Sequence, residues 1–123
     1  MEPSPSPSPS LEGWDIARVD GDDQLPWIPW GAQGKARARI AARADGYHVA
    51  IVEAEPGYRT DPHVHEHPEF LYVIEGTLSN QGRTMTAGDV FAAAAGSRHT
   101  HFVAETPLKY VSIFKTENGA EKG

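Results

Sequence analysis

From residue 35 onward, turn-forming residues cut the chain into pieces that suit strands and little else. Gly57, Gly76, Gly82, Gly88, Gly96 and Pro107 separate short runs rich in aromatic and β-branched residues, with no amphipathic helical pattern between them. These runs predict strands over 36–43, 47–55, 58–66, 69–75, 77–80, 83–86, 89–94, 99–105 and 108–116. Between the first two, Ala44-Asp45-Gly46 reads as a tight hairpin, because glycine accepts the positive φ that such turns need. Lys35, Arg37, Arg39 and Arg43 are interleaved with Ala36, Ala38 and Ile40, the pattern of a half-buried strand with its charged face in water. Many short strands at this spacing imply an all-β sandwich or barrel. A chain of 123 residues fits one such domain with a compact core.

One stretch of this β text carries chemistry. His63-Val64-His65 is followed by Glu69, and His99 lies further along. Side chains alternate between the faces of a strand, so positions 63, 65 and 69 share a parity and can point the same way. A helix would turn His63 and His65 to different sides, since only neighbours three or four apart meet there. Three imidazoles and one carboxylate are what a divalent metal inside a small β-barrel requires. On the residues alone, a polar loop between Pro62 and Pro68 is the alternative, because Asp-Pro-His segments occur in turns.

The wider pattern resembles the cupin family. Gly57 to Gly76, with His63, His65 and Glu69 between the glycines, is similar to the family's first signature. Gly88-Asp-Val-Phe-Ala-Ala-Ala-Ala-Gly96-Ser-Arg-His99 is similar to the second, with Ala94 where proline is usual and Val103 where asparagine is frequent. The departures bear on loop rigidity and on one polar group of the pocket. The resemblance spans about residues 35 to 116. It implies a single cupin barrel of the RmlC-like, double-stranded β-helix or jelly-roll type, whose closure would remove exposed sheet edges. It also implies one divalent metal per chain, held by His63, His65, Glu69 and His99.

Four protein ligands leave two open positions on a six-coordinate ion, whereas tetrahedral zinc would be saturated. Fe(II), Mn(II), Ni(II) and Co(II) therefore all suit the site, with Fe(II) favoured by the oxygenase reading below and Zn(II) the least useful catalyst. Glu69 is the one anionic ligand, so the complex would keep positive charge and attract an anionic small molecule, an enolate, aromatic phenolate or carboxylate. Open facial sites of this kind host non-haem iron oxygenases. A dioxygenase is the leading expectation. A non-redox isomerase, cyclase or decarboxylase and a non-catalytic ligand- or metal-sensing module are the rivals. His101 shares parity with His99 and is a candidate proton carrier, and Arg59 shares parity with His63 and could grip an anionic group. His67, squeezed before Pro68, is expected to face solvent. The run Ala92 to Ala95 removes bulk before His99 and suggests a roomy, apolar cavity.

Composition trims the alternatives. A net charge of −6 and no basic stripe among aromatics argue against nucleic acid. The absence of cysteine excludes disulfides and thiolate ligands. No run approaches the roughly 20 apolar residues of a membrane helix, and Glu2 with no apolar stretch after it does not suit a signal peptide, so a cytoplasmic protein is expected. Residues 1–10 read as a Pro/Ser tail without core-forming side chains, and 117–123 as a polar, frayed end. Residues 11–34 carry Trp14, Trp27 and Trp30 in an irregular arm expected to pack across the barrel or into a second subunit of a homodimer.

Overall fold

The computed structural model describes residues 9–18 and 25–115, and among these it contains strands and turns but no helix. A six-stranded sheet runs in the order β1 (Ile28–Pro29), β2 (Ala36–Ala44), β3 (Tyr47–Ala54), β11 (Leu108–Lys115), β5 (Glu69–Glu75), β8 (Val90–Ala93). A second sheet has β10 (Phe102–Ala104), β6 (Thr77–Asn80) and β7 (Arg83–Thr86), and a third pairs β4 (His63–Val64) with β9 (Arg98–His99). Every pairing is antiparallel. This is the expected all-β jelly roll, but among the described residues the closure expected to remove its edges is not there: β1 and β8 bound the large sheet. Pro29 suits such an edge, since proline has no N–H to donate to a further strand.

Alternation decides which side chains form the core. On β11, Leu108, Tyr110, Ser112 and Phe114 point inward, and on β5 Glu69, Leu71 and Val73 do the same. Ala50, Val52 and Ala54 of β3 join them, facing Leu78, Met85, Phe102 and Ala104 from the smaller sheet. Two polar residues, Glu69 and Ser112, thus sit on the inward face of the same sheet as the apolar core. The hairpin expected at Asp45-Gly46 is present, with Ala44 opposite Tyr47 and φ of 53° and 83° at the two turn residues. That is a mirror-image turn whose twist matches the strands it joins.

Two strand expectations need correction. The strand expected over 58–66 shrinks to β4 and an isolated bridge between Arg59 and Val103, because Pro62 interrupts the run of donors. The strand expected over 99–105 divides into β9 and β10, which belong to different sheets, with Thr100 and His101 at the break. The Trp-bearing arm expected over 11–34 is described at residues 11–18 and 25–34. Its residues 28–29 form β1, Trp30 packs on Phe114 with ring centroids 5.7 Å apart, and Trp27 lies under the guanidinium groups of Arg37 and Arg39. Trp14 stays 72 % exposed. Most of the Pro/Ser tail (residues 1–8) and the whole C-terminal end (117–123) lie outside the described residues.

Candidate metal centre

Antiparallel pairing of β4 with β9 sets His63 directly opposite His99. The chain continues the pairing past β4: His65 N–H donates to the Ser97 carbonyl at 2.9 Å, and Gly96 N–H donates to the His65 carbonyl at 2.6 Å. Glu69 opens β5 on the neighbouring sheet, after the Pro68 turn. The shared parity of 63, 65 and 69 therefore spans two strands and a turn, not one continuous strand. One potential ligand atom from each of His63, His65, Glu69 and His99 lies within 4.8 Å of the others. The three imidazole centroids are 5.0, 5.2 and 5.3 Å apart, a nearly equilateral triangle.

Each group in the cluster has a hydrogen-bond neighbour outside it. His63 Nδ1 lies 2.8 Å from the Asp61 carbonyl, and His65 Nδ1 lies 3.1 Å from Ser97 Oγ. Glu69 Oε1 lies 2.9 Å from His65 Nε2, and its other oxygen accepts the Ser112 hydroxyl at 2.8 Å. His99 Nε2 lies 2.6 Å from Asn80 Oδ1, while Phe91 and Phe102 meet the ring edge-on. Within the cluster, the buried nitrogens His63 Nε2 and His99 Nδ1 have no hydrogen-bond partner among the described residues. Orphaned buried polar atoms are rare and costly, and unpartnered imidazole nitrogens in a group of ligand atoms this close together fit a divalent ion. The residues therefore fit the metal implied by their sequence pattern.

Burial lowers the His99 pKa to about 4; the Glu69 charge opposes the shift, and the His63 and His65 imidazoles add to it. A neutral ring is the form a metal needs. Beneath the cluster, burial raises the Tyr58 hydroxyl to about 12 and pushes Tyr110 up as well. Tyr58 Oη has no well-formed partner, and the Tyr110 hydroxyl beside it offsets only part of the burial effect.

A cavity of about 220 Å³ adjoins the cluster, lined by His65, His99, Phe91 and the run Ala92 to Ala94, with Asn80, Gln81, Ser97 and Arg98 as its polar parts. The alanines do border open space beside the imidazoles, as expected. His101 does not reach it: the ring is exposed and its Nδ1 lies 2.9 Å from Thr100 Oγ1. Its parity with His99 is lost in the break between β9 and β10. Arg59 is also exposed, with its backbone tied to the Gln33 side chain by two hydrogen bonds, and Arg98 lines the cavity instead. His67 is half-buried and outside the cluster. Asn80 and Ser112, which touch the ligands, carry no sequence signal of their own; their contacts come from strand pairing.

The family model described as the ChrR cupin-like domain matches residues 18–117. No curated protein matches the sequence significantly. Among solved structures, an acetylacetone dioxygenase from Acinetobacter johnsonii is similar at 13 % identity and a TM-score of 0.67, over 94 % of this chain and 80 % of that one. The polyketide cyclase RemF from Streptomyces resistomycificus is similar at 21 % identity and a TM-score of 0.65, over 85 % of this chain and 82 % of that one. The Rhodobacter sphaeroides complex of SigE with the anti-sigma ChrR matches at 19 % identity and a TM-score of 0.65, over 76 % of this chain and 51 % of that one. At these identities the likeness shows a common fold. With its paired histidines, Glu69 and His99 set in that fold, and with a family match across most of its length, the chain belongs to the ChrR cupin-like family.

Proposed function

We propose that the chain is a metal-dependent enzyme acting on a small organic molecule, and that the reaction is an Fe(II)-dependent dioxygenation. The observation that carries this reading is the convergence of three imidazoles and Glu69 beside an alanine-walled cavity of about 220 Å³. A bound divalent ion would supply Lewis acidity and, as iron, redox chemistry toward O₂. The remaining work falls to the chain. His63, His65, Glu69 and His99 would hold the ion, and Ser112 keeps the Glu69 carboxylate in place. Phe91 and Ala92 to Ala94 would receive the apolar body of the substrate, and Arg98 at the rim would take an anionic or carbonyl end, the role the sequence suggested for Arg59. The likeness to acetylacetone dioxygenase supports this reading. Phe70, Tyr72 and Val90, exposed on β5 and β8, offer apolar area for the homodimer expected from sequence.

The ChrR family match favours a second reading, a non-catalytic module that binds a metal or ligand and acts through a protein partner. Product formation by iron-loaded, zinc-loaded and metal-free protein, with and without O₂, tests both. A dioxygenase forms product only with iron and O₂. Anaerobic turnover at the aerobic rate would replace it with a Lewis-acid isomerase or cyclase. No turnover with any metal, but a ligand-induced rise in melting temperature, would favour the binding module.

A further inference from the structure

The β6–β7 hairpin lies outside both ligand-bearing segments, yet it reaches the candidate metal centre through two adjacent carboxamides. Asn80 ends β6, and Gln81 takes the first turn position with φ 52°. The Asn80 side-chain oxygen is 2.6 Å from His99 Nε2. A carbonyl oxygen can only accept, so this contact puts the proton on Nε2 and leaves the lone pair on Nδ1. Nδ1 is the buried His99 nitrogen that has no partner. Phe91 and Phe102 hold the ring edge-on with centroids 5.8 and 5.3 Å away, but apolar contact cannot tell one ring nitrogen from the other. The hydrogen bond can.

Gln81 fixes the segment that follows. Its side-chain oxygen accepts from the Thr100 and His101 backbone N–H groups at 2.7 and 2.8 Å and from the Thr100 hydroxyl at 3.2 Å. Its own backbone N–H donates to the His101 carbonyl at 2.8 Å. One side chain thus occupies the break between β9 and β10 and satisfies donors that a continuous ladder would otherwise have paired.

We propose that Asn80 and Gln81 are positioning residues that hold His99 in the Nε2–H tautomer and in place, so that Nδ1 is the nitrogen presented to a metal ion. The inference rests on the reading of His63, His65, Glu69 and His99 as a metal centre. Groups that orient a ligating histidine in this way typically change metal affinity about 10- to 100-fold.

Imidazole ¹⁵N shifts of the metal-free full chain, followed by Co(II) titration monitored by visible absorption, test the proposal. Wild-type His99 should report the Nε2–H tautomer. Asn80→Leu, which removes the acceptor at similar volume, should mix the tautomers and weaken Co(II) binding roughly 10- to 100-fold. Asn80→Asp keeps an acceptor oxygen and should retain the wild-type tautomer. Gln81→Ala should speed hydrogen exchange at the Thr100 and His101 amides. Circular dichroism checks that each variant folds; should Asn80→Leu fail to fold, the wild-type tautomer and the other two variants still decide. An Nδ1–H tautomer in the wild type would overturn the proposal, as would an Asn80→Leu protein with unchanged tautomer and Co(II) affinity. A wild-type protein that binds no Co(II) would overturn the metal-centre reading instead, while the metal-free tautomer and exchange data would still judge the hold of the hairpin on His99.

Discussion

Glu69 is buried, and each of its carboxylate oxygens has one neighbour from a different element: His65 for one and Ser112 for the other. Removing the Ser112 hydroxyl leaves a buried oxygen without its donor. Ser112→Ala should therefore destabilise the protein by about 1–3 kcal/mol, measured by denaturant unfolding. A loss within error would mean that Glu69 finds another donor. His65→Ala acts differently. It should abolish metal uptake, measured by elemental analysis, while far-UV circular dichroism keeps its β signature, because the apolar core does not depend on one ion. His99 gives the metal-free protein a pH dependence. Its folded pKa of about 4 lies below the ordinary 6.5, so between those values the unfolded chain binds the proton more readily. Its contribution to stability is thus complete above about pH 6.5 and declines as the pH falls toward 4. Urea titrations across this range should show the decline, and Asn should reduce it in a His99→Asn variant that folds.

The turns and strands divide their glycines into those the fold requires and those it only prefers. Gly76, between β5 and β6, has φ 93°, and a Cβ built there would lie 2.0 Å from the Pro107 carbonyl oxygen. Gly88 has nearly the same φ, 94°, but a Cβ there would meet open space. Gly88→Ala should cost roughly the 1–2 kcal/mol of left-handed backbone alone, and Gly76→Ala clearly more, since backbone atoms cannot swing aside. Equal melting temperatures for the two variants would contradict the difference in packing. The arm shows a comparable contrast between Trp30, which is buried against Phe114, and Trp14, which is 72 % exposed. Trp30→Ala should destabilise by about 3–5 kcal/mol. Trp14→Ala should stay within about 0.5 kcal/mol.

Across the molecule, the large sheet and the small one enclose a core that is apolar at its centre and ionisable near the cluster. Tyr58 and Tyr110, both raised by burial, link that core to alkaline pH. Above the ordinary value of 10 the unfolded chain loses its tyrosine protons first, so stability should fall as the pH rises toward the Tyr58 value of about 12. Tyr58→Phe should flatten part of that fall. A metal bound only by the folded chain stabilises the whole of it, by about 2.7 kcal/mol at a hundredfold excess over Kd. No helix among the described residues is long and apolar enough to cross a membrane.

Local sequence was enough to identify the β class, the Asp45-Gly46 hairpin and the four clustered residues. Strand alternation, turn chemistry and ligand spacing are short-range properties, and they are written directly in the chain. The glycines closing the first signature belong to the same category, although the reason for Gly76, the Pro107 carbonyl pressed against it, is a contact across more than thirty positions. Pairing partners were another matter. That β9 stops at His99, that Gln81 fills the gap after it, that Asn80 meets His99 and that Ser112 meets Glu69 all depend on which strands lie side by side. His101 and Arg59 show the same limit from the other direction. Parity carries a side chain to one face only while the strand stays regular, and the break at Thr100-His101 and the single bridge at Arg59 end that regularity. Periodicity fixes direction within an element; register between elements, set by tertiary packing, decides what stands opposite.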